Sequence, residues 1–215
     1  MNKTIIGVSL FSFSVLFSAT TFAQTTPDYA KLIEQAHQKY KSNNDGKVAD
    51  YIPALATYSP KNFAITIATV DGKIYQVGDV NKPFPMESLS KVFTMALAME
   101  QHGPQVVLDK LGANATGMPF NSGLAVELTK GAPENPLVNA GAMSTVSLIE
   151  AKDKTDRWNK ILDNLNVWAD ATLTVNEPVF KSEMETNQHN QALAKLMESY
   201  NSFYGNTDEA VEIYT

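Results

Sequence analysis

The sequence predicts an α/β (α+β) domain, and three observations carry that prediction. Two strand-like runs flank a tight turn at residues 71–72, "DG". From residue 86 onward the periodicity is helical, with no further strand signal. Two strands alone do not make an independent sheet, so the remaining antiparallel strands, with helices flanking them, are expected beyond residue 215.

The chain opens on a segment that does not belong to the fold. Lys3 is followed by the apolar run "TIIGVSLFSFSVLFSA", and "TFA" at 21–23 puts small residues where a signal peptidase reads them. The run, about 16 residues, is short for a membrane span of ~20. Residues 1–23 are therefore read as a signal peptide cleaved after Ala23, and 24–215 as the globular part of a periplasmic or secreted protein.

The elements then follow in order. Residues 27–42, "PDYAKLIEQAHQKYKS", carry a helical pattern stopped by "NNDG", and "DYIPALA" at 50–56 is a turn-rich connector. "FAITIATV" at 63–70 and "KIYQVG" at 73–78 are strands, with the intervening "DG" read as a type I′ hairpin turn. "NKPFP" at 81–85 is extended by its prolines. The "MESLSKVFTMALAME" helix of 86–100 comes next, then a short helix at 104–112 and loops at 113–123 and 131–137. Helices are predicted over 138–151, 156–169, 182–200 and 207–214, the third opening on a capping box from Ser182 to Glu185. The "AGA" of 140–142 lets its helix approach a neighbour closely. The last helix stops after about two turns with an apolar face. The 24–215 domain is thus expected to be incomplete and to have no useful activity on its own.

Composition excludes several classes of function. Net charge is −6, and no basic run offers a nucleic-acid footprint. After the leader no segment is apolar enough to span a bilayer. The chain has no cysteine, so disulfide and thiolate chemistry are out of reach. Neither H-E-x-x-H nor paired histidines suggest a metal. His37, His102 and His189 each lie in polar helical settings, which gives a Ser-His-Asp arrangement little support.

Lys91 stands out, because the residues after it are almost all apolar. Burying an ammonium group is costly. Ser88 lies three residues earlier, on the same helical face and at or beside the N-cap. A desolvated lysine has a lowered pKa and can act as a base. A hydroxyl needs such a base to become a nucleophile, and a free N–H at the helix start can stabilise an oxyanion. The same two residues also describe a serine cap followed by a lysine that snorkels to solvent; the pair alone does not separate these readings.

The ordered set "GKVADYIPALA", "SLSKVF", "PFNSG", "ENPLVNAGAM" and "KSEMETNQHNQALA" resembles the serine-dependent glutaminase family over nearly all of 46–215. The resemblance implies the fold of serine β-lactamases and penicillin-binding proteins, with an antiparallel sheet and a helical subdomain. It implies hydrolysis of the side-chain amide of L-glutamine to glutamate and ammonia through an acyl-enzyme, without cofactor, often in an oligomer. It makes Ser88 the nucleophile and Lys91 its base. Asn139, Glu183 and Asn190 become substrate contacts, and Tyr214 a pocket residue that shares in proton transfer. Read singly, Glu183 is also a first-turn acid, Asn190 a solvated helix position, Asn139 an N-cap and Tyr214 a packing residue. Glu183 and Asn190 are two helical turns apart on one predicted face. His189 stands where the family pattern leads one to expect arginine, Glu87 precedes the serine, and "TKG" at 129–131 is in a loop, unlike a K-T-G strand. Two rivals are a penicillin-recognising acyl hydrolase and a glutamine-binding remnant without turnover.

Overall fold

The computed structural model describes residues 27–215; the expected signal peptide, 1–23, lies outside the described residues. Helix α1 (Tyr29–Tyr40) is capped by Asp28, whose carboxylate accepts from the Lys31 amide at 3.0 Å. It packs on a two-stranded antiparallel sheet of β1 (Ala64–Ala68) and β2 (Ile74–Gly78), in register from Ala64 opposite Gly78 to Ala68 opposite Ile74. The Tyr29 and Tyr75 rings meet at 5.5 Å, and His37 stacks on Phe63 at 4.9 Å. Every strand residue is exposed or only half buried.

The turn differs from the expected type I′. The Gly72 amide donates to the Thr69 carbonyl and only Gly72, at φ +80°, is left-handed, so residues 69–72 form a type I turn followed by a glycine bulge. Asp71 instead uses its carboxylate on the Thr69 hydroxyl and on Lys73, which a side chain in ordinary backbone geometry can do.

The helices follow as α2 (Ser90–His102), α3 (Pro104–Leu111), α4 (Gly123–Leu128), α5 (Asn139–Leu148), α6 (Lys154–Ala169), α7 (Glu177–Thr186), α8 (Gln188–Ser199) and α9 (Thr207–Tyr214). All ten residues of α5 are buried. Its sequence has no polar stripe, as a helix enclosed on every side requires. Helices α2, α3, α8 and α9 surround it. One core, including Leu97, Leu111, Val146, Ile149, Ile161 and Ile213, lies on the α2–α3–α6 side. A second, including Val126, Met143, Leu193, Met197 and Val211, lies on the α4–α8 side. The hydroxyls inside α5 are all satisfied: Ser144 donates to the Ser202 carbonyl, Thr145 to Gly141, and Ser147 to Ser144, each at 2.7 Å. The small residues do allow a close approach, made by a loop: a Cβ at Gly141 would stand 1.8 Å from the Asn135 carbonyl oxygen.

Two helical expectations change. Helix α4, capped by Ser122, occupies part of a stretch the sequence left unassigned. The single helix of 182–200 is two helices meeting at Asn187, whose φ of −88° and ψ of 12° break the α geometry. Helix α7 starts earlier, at the Asn176 cap with a proline in its first turn. Ser182 is therefore inside a helix and forms no capping box; its hydroxyl accepts from the Ala54 amide at 3.2 Å and ties α7 to the 50–56 connector.

Candidate active site

The site begins where the chain enters α2. A short 3₁₀ turn, Glu87–Leu89, leads into the helix, and Leu89 and Ser90 already have helical backbone angles. Ser88 is therefore the middle residue of the entry turn, with Leu89 at the cap position. It is exposed, whereas Lys91, one turn on, is only 6% exposed.

Lys91 does not snorkel. Its Nζ donates to Asn139 Oδ1 at 2.7 Å and lies within 6 Å of the Phe120 and Tyr214 ring centres, at 5.8 and 5.9 Å. None of the ion pairs among the described residues includes it. Burial without a carboxylate partner holds its pKa below the ordinary lysine value.

Asn139 is the first residue of α5, while Val138 occupies the cap position. Freed from capping, the Asn139 amide bridges two elements: it accepts from Lys91 and donates from Nδ2 to Asn190 Oδ1 at 3.0 Å. Its backbone amide donates to the Phe120 carbonyl at 2.8 Å, which fixes the loop that brings Phe120 to the lysine. His189 braces the same loop from α8, its Nε2–H donating to the Asn121 carbonyl at 2.6 Å.

Glu183 and Asn190 reach the site from different helices, α7 and α8, so the continuous shared face expected of them does not exist. The break at Asn187 brings the two helices to the cleft separately. Glu183 is half buried, and its pKa is pushed up to about 8, first by burial, then by the negative charge of Glu87 and by hydrogen bonding with that carboxyl. Tyr214, in the last turn of α9, has its pKa raised far above the ordinary phenol value by burial, then by Glu183 and Glu87. Tyr51 is also raised, by burial first and the same two carboxyls second.

Ser88, Lys91, Asn139, Glu183, Asn190 and Tyr214 all line one cleft of about 1410 Å³, so the structure gathers every candidate that the sequence singled out. Glu87, Tyr51 and Phe120 line it as well without having been assigned a role from sequence. For Glu87 the signal was its place beside Ser88; for Tyr51 and Phe120 it was only their membership of the "DYIPALA" and "PFNSG" stretches. "TKG" follows α4 as a turn with left-handed Lys130 and Gly131, and is no strand. No group of His, Asp and Glu among the described residues is arranged to hold a metal.

With Ser88 and Lys91 at the entry to α2, in a mixed α/β body that carries a small antiparallel sheet, the chain has the β-lactamase-like fold of its solved neighbours. A probable glutaminase, ybaS, superposes with a TM-score of 0.84 at 44% identity, covering 86% of this chain and 60% of that one. A probable glutaminase from Bacillus subtilis complexed with 6-diazo-5-oxo-L-norleucine gives a TM-score of 0.72 at 26% identity, over 88% of this chain and 58% of the other. The family model for glutaminase matches residues 46–215. A glutaminase from Colwellia psychrerythraea is 48% identical over 189 residues, 88% of this chain and 61% of the relative. The chain belongs to the glutaminase family, and it spans about three-fifths of the length of the curated relatives it matches.

Proposed function

We propose that this chain carries the acylation centre of a serine-dependent glutaminase, with Ser88 as nucleophile and Lys91 as its general base. The observation that carries the reading is the state of Lys91: buried, lowered in pKa, and hydrogen-bonded to a neutral amide where a carboxylate would hold it protonated. Neutral Nζ takes the proton from Ser88 Oγ as the oxygen attacks the side-chain amide carbon of L-glutamine. Backbone N–H at the start of α2 stabilises the resulting oxyanion. The intermediate collapses as its nitrogen receives a proton, and ammonia leaves. Tyr214 serves that transfer as a neutral phenol, giving one proton as it receives another, because its raised pKa disfavours a phenolate. Water then attacks the glutamyl ester with Lys91 again as base, and glutamate departs. Glutamine and water become glutamate and ammonia, with no cofactor entering the balance.

Glu183 receives the substrate's α-ammonium group, while Asn139 and Asn190 bond its polar ends. The substrate is a free amino acid, and an oligomeric assembly follows the family resemblance. The leader motivates periplasmic or secreted localisation; a mature mass beginning at Gln24 supports it, and a full-mass protein retained in the membrane contradicts it. The substrate reading is tested by competition at Ser88. L-Glutamine should protect the purified protein from a diazoketone glutamine analogue, and a fluorescent penicillin should leave Ser88 unlabelled. Penicillin labelling without glutamine protection would reject glutamine as the substrate.

A further inference from the structure

We propose that Asn187 is a positioning residue for the substrate: its buried side-chain amide clamps α7 to the packed helices, holds Glu183 in place relative to Asn190 and Tyr214, and so makes binding depend on a free α-amino group. This rests on the glutamine reading above and adds to it a residue outside the reacting groups. Three observations carry it.

First, the residues that face the substrate sit on helices held very differently. Asn190 and Tyr214 are on α8 and α9, which pack on α5 and on each other. Glu183 is on α7, which contributes no residue to either of the two main cores. Val179 of α7 joins a separate small cluster with Ile52 and Leu55, and Ser182 bonds the Ala54 amide. No ion pair among the described residues includes a residue of α7. Helix α7 thus leans on the 50–56 connector, and it joins the helical body at Asn187.

Second, Asn187 is only 6% exposed, and its amide is bonded at both ends. Nδ2 donates to Thr215 Oγ1 at 3.3 Å, and Oδ1 accepts from Gln191 Nε2 at 2.5 Å. The Thr215 hydroxyl spends its own proton on the Val211 carbonyl at 2.9 Å. Its oxygen is left to accept, which fixes the way the Asn187 amide faces.

Third, the amide stands where all three helices come together. Glu183 lies one turn before Asn187, Asn190 lies three residues after it, and Thr215 directly follows Tyr214. Asn187 and Thr215 line the same cleft as these residues. The backbone at Asn187 leaves α geometry, so no continuous helix fixes α7 to α8. The side-chain amide takes over that task by tying the junction forward to α8 and across to α9. Without it α7 pivots about the junction, and Glu183 no longer meets an ammonium group held by the other contacts.

The readout is the preference for L-glutamine over 4-carbamoylbutanoate, the same molecule without its α-amino group. Both are titrated into the Ser88→Ala protein and followed by NMR, so that no turnover intervenes. Ser88→Ala should prefer glutamine by about a hundredfold or more, the worth of a partnered buried charge. Ser88→Ala/Asn187→Ala should lose about tenfold or more of that preference, chiefly through weaker binding of glutamine. Thr215→Val and Gln191→Met each remove one bond and leave Asn187 in place; in the same background each should lower the preference about fivefold. Hydrogen exchange supplies a readout without ligand: in Asn187→Ala the amides of 177–186 should exchange faster while those of α5 keep their rates. Equal losses of affinity for the two ligands, or a preference untouched by all three substitutions, would overturn the positioning role. Exchange that rises alike in α5 and α7 would overturn it too, since Asn187 would then serve only the stability of the whole. Absence of any preference for glutamine in Ser88→Ala itself, with α7 loosened by Asn187→Ala as expected, would instead overturn the substrate reading and leave the clamp on α7 standing.

Discussion

Replacing Asn139 with aspartate changes one atom's chemistry at the acceptor of Lys91 and barely changes its volume. The oxygen 2.7 Å from Nζ acquires a full negative charge. At an effective dielectric of about 20, that attraction has a ceiling of about 6 kcal/mol. Desolvating the new carboxylate takes back several kcal/mol of it. What remains corresponds to the upward shift of about 1–3 pKa units usual for an opposite charge at short range. At a pH below both pKa values, the neutral fraction of Lys91 then falls by about 10- to 1000-fold. The substitution also removes the amide donor to Asn190 Oδ1, a neutral hydrogen bond worth about 1 kcal/mol. That loss lowers the plateau rate without moving the pH profile. Two measurements separate the effects: ¹³Cε titration of Lys91 by NMR, and the pH dependence of Ser88 labelling by a diazoketone glutamine analogue. The acidic limb of the labelling profile should move up by the same 1–3 units as the lysine titration. Asn139→Ala supplies the opposite sign, because it deletes the acceptor without adding charge and leaves the ammonium form less supported. A labelling profile that keeps its acidic limb in Asn139→Asp, with only the plateau reduced, would refute Lys91 as the base.

Glu183→Gln should weaken glutamine binding by about a hundredfold or more, since removing one partner of a buried charge pair costs about 3–5 kcal/mol. The signature is a raised KM with kcat largely kept; a fall in kcat at constant KM would assign Glu183 to the chemistry. Gly141→Ala should destabilise the fold, because its methyl group would stand 1.8 Å from the Asn135 carbonyl oxygen and 3.2 Å from Pro136 Cα. Overpacking of this kind costs about 1–3 kcal/mol, and thermal denaturation should show a drop of about 2–4 °C per kcal/mol; an unchanged Tm would contradict the close approach. The raised pKa of Glu183 also fixes a pH dependence of stability. Between 4.5 and about 8 the folded chain holds a proton that the unfolded chain has lost, so this group's contribution to stability falls as pH rises through that window. Lys91, lowered in the folded state, acts oppositely and favours the fold increasingly as pH rises toward the free-lysine value. Denaturant melts of wild type and Glu183→Gln should diverge between pH 5 and 8, with the decline confined to the wild type; parallel curves would contradict the shift.

The parts of the fold legible in the sequence are those decided locally. Alternating β-branched residues and a glycine at the turn are enough for the hairpin, and the mostly apolar run after Lys91 for a helix with one buried face. The turn type was not legible, because "DG" serves both a type I′ turn and a type I turn with a glycine bulge, and Asp71 here prefers ordinary backbone geometry with its side chain bonded to Thr69 and Lys73. The break at Asn187 was hidden because asparagine is tolerated within a helix; here its side chain accepts from Gln191 one turn on and donates across the fold to the Thr215 hydroxyl. Asn139 looked like a cap since asparagine at a helix start usually is one. The buried ammonium group offers its side chain a stronger, charge-assisted partner. The Ser88–Lys91 spacing was readable because it lies within one turn. The convergence of Glu87 and Glu183 on one cleft was not, since it joins residues 96 positions apart through folding alone.

In the proposed mechanism Ser88 takes up the glutamyl group of L-glutamine with Lys91 as its base. Rapid mixing of the purified protein with L-glutamine, acid quenching and peptide mass mapping tests it directly. One glutamyl adduct is expected on the peptide containing Ser88, absent in Ser88→Ala and strongly reduced in Lys91→Met. An adduct at another residue, or one that persists at wild-type level without Ser88 or without Lys91, would contradict it.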